Sequence, residues 1–285
     1  VLSRARGSST SWRGVDVIVH SRFDSEHTPP ATTRVGQDDT ASEVFLTLRL
    51  CNLTGESDSI FRNEGDYFID MTARTGVRKS TRHATRFGLG WVDLNNDGWL
   101  DLFEANGRVM RSADAKTHDP YAQHNHLLQG DQRGRFTMVP HALDSTDAQP
   151  RTSRAAAFGD YDNDGDIDLL VSNSNQPAFL LRNEIGNQQN WLLIRLEGKY
   201  SNRDGIGSRV TVVIKNEGKR ITHTAEVKSG SNYASNSDIL LHFGLGKAKN
   251  VDRIHIHWSR GSKQNIYNTS VNQLLVIQEV LGQEQ

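Results

Sequence analysis

The chain has one cysteine, Cys51, among 285 residues. An internal disulfide is therefore excluded, and a small buried apolar residue is the expected role of the lone thiol. An excess of either charge is also missing. Lys and Arg number 33, Asp and Glu 34, and the formal net charge is −1 at pH 7. That balance gives no global field for nucleic acid or an anionic membrane. No apolar run approaches the roughly 18–20 residues of a membrane span. Gly-x-Ser-x-Gly, Walker A and Cys-x-x-Cys patterns are absent. The Gly-x-Gly at Gly88 and at Gly244 lacks the third glycine and the following helix of a dinucleotide loop. Nor does a charged-then-apolar leader follow Val1, as expected of a fragment or a mature form.

What is there is polar and rich in turns. Hydrophobic residues make up 35% and glycine occurs 24 times, which fits an all-β chain of one large or two modest domains. Residues 1–56 are an N-terminal segment rich in Ser, Thr, Arg and Asp, expected to be poorly ordered or a truncated remnant. Strands are expected within it at Val15 to Val19 and Val44 to Leu50.

The organising stretch is Asp160-Tyr161-Asp162-Asn163-Asp164-Gly165-Asp166-Ile167-Asp168. Carboxylates fall at alternate positions, and Gly165 permits a sharp turn that brings the later ones back. Five carboxylates in nine residues repel one another unless a hard cation such as Ca²⁺ gathers their oxygens. The pattern recurs 160 − 93 = 67 residues earlier as Asp93-Leu94-Asn95-Asn96-Asp97-Gly98-Trp99-Leu100-Asp101. An aromatic-glycine stretch precedes each copy and an apolar run follows it. Hairpin words recur as well, at Ile60 to Phe68, at Leu127 to Phe136 and, broken off, at Phe179 to Glu184. Self-similarity at this period means stacked supersecondary units of about four strands each.

These words resemble FG-GAP/VCBS repeats, the calcium-bearing blades of integrin-α-type β-propellers. The resemblance implies partial propeller blades over residues 57–188. It places calcium ligands at Asp93, Asn95, Asp97 and Asp101, and at Asp160, Asp162, Asp164 and Asp168. The seventh positions, Trp99 and Asp166, give their backbone carbonyls, which leaves the Asp166 side chain as an outward charge. A propeller closes with about 4–8 blades, so two blades and pieces do not close a ring alone. An EF-hand is the alternative, since Asp93 to Glu104 fits its loop pattern with Glu104 as twelfth ligand. Its flanks argue against it: Gly88 and Gly90 interrupt an incoming helix, and Asn106-Gly107 stops an outgoing one.

The remainder, residues 189–285, changes character. Strands are expected at Trp191 to Leu196, Arg209 to Ile214, Ile221 to Val227, Val251 to Trp258 and Gln273 to Val280, the spacing of a β-sandwich. Gly205-Ile-Gly-Ser-Arg-Val210, Gly230-Ser-Asn-Tyr-Ala-Ser-Asn-Ser237, His242-Phe-Gly-Leu-Gly246 and Ile256-His-Trp-Ser-Arg-Gly261 are similar to the ASPIC/UnbV domain. Blades followed by this domain are the arrangement of the cartilage acidic protein family. The resemblance implies a secreted, non-enzymatic recognition or adhesion protein with structural Ca²⁺. Its partner would be an extracellular protein or glycan, and its oligomeric state is left open.

A rival reading is an accessory or catalytic part of a secreted polysaccharide-acting enzyme. It needs paired carboxylates outside the calcium loops, and Glu184, Glu197 and Asp204 have no motif to join them. An intracellular scaffold is a third reading, against which low cytosolic calcium argues. Weaker signals are His255 with His257, the tripeptide His124-Asn125-His126, and the sequons at Asn52 and Asn268. The loop Gly230 to Ser237 is either a sugar reader or, more simply, a loop satisfying backbone.

Overall fold

The computed structural model describes residues 47–63, 66–112, 118–140, 149–216, 219–230 and 232–280, together with a strand at 15–18. Three antiparallel meanders come first. The first joins β1 (Val15–Ile18), β2 (Thr47–Leu50), β3 (Ser59–Asn63) and β4 (Phe68–Asp70). Two short helices follow, α1 (Thr72–Thr75) and α2 (Val77–Thr81), broken apart by Gly76 at φ 82°. The second meander is β5 (Arg86–Val92), β6 (Asp101–Asn106), β7 (His126–Gly130) and β8 (Phe136–Met138). The third has three strands, β9 (Ser153–Gly159), β10 (Asp168–Asn173) and β11 (Gln176–Leu181).

The meanders stack face to face. Ile60, Met71 and Val77 pack on Leu102, Leu128 and Phe136. Phe103 and Ala105 pack on Ala156, Leu169 and Val171. β6 therefore lies between two layers, and all six of its residues are buried. Side chains alternate along a strand, so Leu102 and Glu104 face the first sheet while Phe103 and Ala105 face the third. Gly88 lets β5 press on β9, since a Cβ there would stand 2.5 Å from the Ala156 nitrogen. Among the described residues no sheet closes on itself.

A short 3-10 turn, Gly186–Gln188, leads into two further sheets. One has the order β15 (Leu241–Gly246), β12 (Asn190–Glu197), β18 (Leu274–Gln278), with β12 and β18 parallel. The other runs β14 (Lys219–Glu226), β13 (Arg209–Asn216), β16 (Asn250–His257), β17 (Lys263–Ser270). They share one apolar core that includes Leu192, Ile194, Val210, Val212, Ile254 and Trp258. Full burial of each such side chain stabilises by roughly 1.5–3 kcal/mol.

Two features depart from the sequence reading. The first sheet reaches back across residue 57, because β2 pairs with β3 from Thr47↔Arg62 to Leu50↔Ser59. Helices α1 and α2, and the polar strand β17, were not expected: each is too short or too polar for an apolar period to show. The expected disorder of residues 1–14 and 19–46 lies outside the described residues.

Candidate metal centre

Each acidic loop is the connection between two paired strands, β5–β6 for the first and β9–β10 for the second. Asn96 (φ 56°) and Asn163 (φ 60°) turn left-handed, as do Gly98 (φ 92°) and Gly165 (φ 95°). Asparagine and glycine tolerate that region best, so the sequence encodes the turn directly.

The same hydrogen bonds hold both turns. Asp93 accepts from the Asp97 N–H (3.2 Å) and the Gly98 N–H (2.8 Å). Asp160 accepts from the Asp164 N–H (3.1 Å) and the Gly165 N–H (3.0 Å). The ninth carboxylates repeat this. Asp101 Oδ2 accepts from Leu94 N–H and Oδ1 from Gly130 N–H, while Asp168 Oδ2 accepts from Tyr161 N–H and Oδ1 from Asn183 N–H. Asp97 and Asp164 each accept from the N–H of the seventh residue, Trp99 and Asp166. The two stretches are thus structural copies.

Their oxygens are gathered differently. Asp160, Asp162 and Asp168 bring one carboxylate oxygen each within 4.8 Å of one another, a group that could hold a metal ion. The charge of Asp162 is met by Arg182, with Nε 2.5 Å from Oδ2. In the first loop Asn95 takes the place of Asp162 and donates to Asp97 Oδ2 at 2.9 Å. Burial raises Asp93 well above the usual carboxylate range, and Asp97 and Asp101 add to the rise. Burial also pushes Asp101 up to about 7, against the hydrogen bonds from Gly130 and Leu94. Buried carboxylates raised in this way gain from a nearby cation.

Asp166 is not an outward charge. It is fully buried, and its Oδ2 accepts from the Asn187 N–H at 3.1 Å, pinning the 3-10 turn. Burial pushes it up to about 7. Trp99, its counterpart, is half-buried. The EF-hand alternative fails at Glu104. That carboxylate points into a buried cluster, accepting from Arg49 and lying 3.0 Å from His126 Nδ1. Asp58 and Arg86 complete the cluster. Burial works to raise Glu104, but Arg49 and His126 hold it down at about 2.

The loops also touch each other and the C-terminal sandwich, a contact the sequence did not reveal. Asn96 Nδ2 donates to the carbonyls of Gly165 (3.0 Å) and Gly186 (2.9 Å). Asn183 Nδ2 donates to the Leu94 carbonyl. From the sandwich, Gly246 N–H donates to the Asn96 carbonyl at 2.8 Å and His242 Nε2 lies 3.1 Å from the Gly165 carbonyl. The Trp191 ring lies so close to Gly165 that a Cβ there would clash.

The weaker signals resolve into structure. Asn232 accepts from Leu89 N–H and donates to the Ala156 carbonyl, and Ser235 donates to the same carbonyl. The loop Gly230 to Ser237 thus joins the sandwich to the second and third sheets. Tyr233 packs on Phe87 at 5.2 Å, with Arg154 over the other aromatic partner at 4.2 Å. Asn106 bonds the Asn125 side chain and the His124 carbonyl. His255 meets Asn265 at 2.9 Å. The rival's carboxylates have separate partners: Glu184 pairs with Arg182, Glu197 with Gln278 and Asp204 with Arg203. Of the sequons, Asn52 spends its amide on the Ser57 carbonyl, while Asn268 is exposed at φ 54°.

Comparison with known proteins bears on the C-terminal sheets. Residues 198–284 match the ASPIC and UnbV family model, so the sandwich carries an ASPIC/UnbV domain. The chain is also similar to cartilage acidic protein 1 from Xenopus tropicalis, 24% identical over 83% of this chain and 43% of the relative. The Homo sapiens protein is 24% identical over 93% of this chain and 40% of the relative, and the Mus musculus protein 22% over 83% and 43%. The chain therefore spans about two-fifths of the length of these relatives. No helix among the described residues is long and apolar enough to cross a membrane.

Proposed function

We propose that this is a non-enzymatic, extracellular recognition or adhesion protein whose stacked sheets are FG-GAP/VCBS-type blades carrying structural Ca²⁺. The observation that carries the reading is the repeated loop skeleton, with the carboxylates of Asp160, Asp162 and Asp168 converging in one copy. Asp160, Asp162, Asp164 and Asp168, with the Asp166 carbonyl, would hold one ion. Asp93, Asn95, Asp97 and Asp101, with the Trp99 carbonyl, would hold the other. Bound calcium neutralises the crowded carboxylates and fixes the turn. Its preference for the folded state stabilises the protein. The resemblance to cartilage acidic protein 1 supports the extracellular setting, with a protein or glycan partner.

Calorimetric calcium titration tests the reading. Two sites are expected, one lost in Asp97→Asn and the other in Asp164→Asn. Chelator is expected to lower the thermal midpoint. A folded sample that binds no calcium and melts identically in chelator would refute it.

A further inference from the structure

We propose that the outer face of the four-stranded sandwich sheet binds a sulfated polysaccharide. This deepens the recognition reading above and rests on its glycan arm. Over the whole chain 33 basic residues stand against 34 acidic ones, so acids gathered in the two loops are balanced by bases elsewhere. The sheet β14-β13-β16-β17 carries a share of them. Its inner face packs Val210, Val212, Ile254 and Ile256 into the apolar core. Successive side chains alternate between faces, so the residues between these point out.

The pairing register sets the outward residues in rows. Glu226, Arg209, His257 and Lys263 form the first, one from each strand. Thr211, His255 and Asn265 stand in the second, and Arg253 and Tyr267 in the third. Beyond them Lys215 faces Arg220. Neighbouring strands lie ~4.8 Å apart and alternate residues of one strand ~7 Å apart, so the first and third rows are roughly 14 Å apart. Five basic side chains thus share the face with two acids, and each acid is answered. Asp252 lies 3.4 Å from Lys215. Glu226 borders the cleft that Trp99 and Lys228 line, where burial lowers the Lys228 ammonium and Glu226 opposes that. Among the described residues, Arg209, Arg253 and Lys263 have no ion pair. Their charges converge on His257: partial burial lowers it, and Lys263, Arg209 and His255 lower it further. An anion placed there relieves the repulsion.

The shape of the face selects among polyanions. Guanidinium forks meet oxyanions through paired N–H donors, and an ammonium adds a point charge. Arg209, His257 and Lys263 are exposed and ready to do so. The face is a flat sheet, with no helix or ribbon to enter a duplex groove. Tyr267, 52% exposed, is the one large aromatic it presents, whereas single-stranded nucleic acid stacks on successive rings. Nor is there an apolar wedge for a bilayer. Thr211 and Asn265 are engaged by Thr224 and His255, so the reading falls to the cations. Cations this dense match a chain with several charges per repeat, which sulfation supplies and a uronate alone does not. The Tyr267 ring offers its face to the sugar between them.

The experiment titrates the full chain in calcium, by calorimetry at low and high salt. The probes are a sulfated oligosaccharide, its desulfated counterpart, single-stranded DNA of matched charge and phosphatidylserine vesicles. The sulfated oligosaccharide is expected to bind, and more weakly as salt rises. Arg209→Gln, Arg253→Gln and Lys263→Gln are each expected to weaken it severalfold, the worth of one exposed ion pair, and together by about thirtyfold. Their melting temperatures are expected to stay unchanged. Arg78→Gln, exposed on α2 beside the first sheet, is expected to bind as the parent does. No binding, binding indifferent to the three variants, equal binding of the desulfated chain, or a preference for DNA or vesicles overturns the proposal. Melting with and without chelator scores the calcium reading on the same sample. Calcium stabilisation with no oligosaccharide bound sinks this inference alone; oligosaccharide binding without calcium stabilisation sinks the calcium reading alone.

Discussion

Set side by side, the stretches at 93–104 and 160–171 keep one loop backbone, and the changes in charge between them fall at positions three, seven and twelve. Asn95 faces Asp162, Trp99 faces Asp166, and Glu104 faces Val171. The conserved turn geometry survives all three changes. Its shape is therefore set by the left-handed Asn and Gly positions and by the first and ninth carboxylates, which bind backbone N–H groups in both copies. The variable positions are free to serve the surroundings. In the first loop they serve a cleft and a buried ion cluster; in the second, a turn and an apolar layer.

The largest effect is expected at position twelve. Glu104→Ala takes one of its two carboxylates from Arg49 in a dry cluster and leaves Asp58 to face both Arg49 and Arg86; removing one partner of a buried ion pair costs about 3–5 kcal/mol. Val171→Ala, which only opens a small cavity, should cost less, roughly 2 kcal/mol. Urea unfolding of the two variants measures the difference, and equal losses would break the contrast. At position three, the added charge of Asp162 should make the second loop bind calcium more tightly than the first by about tenfold, near 1.4 kcal/mol. Asp162→Asn should erase that gap in a calorimetric titration.

A pH series sharpens the comparison further. Without calcium, burial holds Asp101 and Asp166 at about 7, above their unfolded values near 4. Between about pH 4 and 7 the unfolded chain has released protons that the folded chain keeps, so stability should fall as pH rises. Glu104 acts the other way. Held at about 2, it contributes stability above its unfolded value near 4.3 that is lost as pH falls toward 2. Urea midpoints in chelator should therefore peak near pH 4–5, and calcium should flatten the decline on the alkaline side. A profile identical with and without calcium would count against cation binding by the loops. The smallest effect belongs to position seven: Asp166→Ala removes one hydrogen bond to Asn187 and should cost about 1 kcal/mol by thermal melting.

Much of this was legible in the residues. The alternating acids, the glycines and the hairpin words located the strands around both loops, and the apolar alternation of Arg209 to Ile214 and Val251 to Trp258 located the sandwich core. What escaped were contacts between segments distant in sequence. Nothing local to Glu104 tells that Arg49 awaits it from another sheet. Nothing local to Asp166 tells that Gly186 and Asn187 fold over it. The polar strand Lys263–Ser270 pairs on the sandwich edge, where exposed positions erase the apolar period. The residues of the loop Gly230 to Ser237 point to a sugar reader or a loop satisfying its own backbone; it does bond its own backbone at Tyr233, and it also bonds the backbone of two other sheets at Leu89 and Ala156.

The Asn96 junction has a consequence for how the protein is made. Its side chain waits for Gly165 and Gly186, and its carbonyl for Gly246, 246 − 96 = 150 residues later in the chain. β12 likewise waits for β18, from Leu193↔Leu274 to Glu197↔Gln278. Translation at ~5–20 residues per second leaves the first loop incomplete for on the order of ten seconds. Pairings so distant in sequence fold slowly. The nascent stack thus emerges with its acidic turns unlocked, and the stretch from His242 to Gly246 closes them once it has followed.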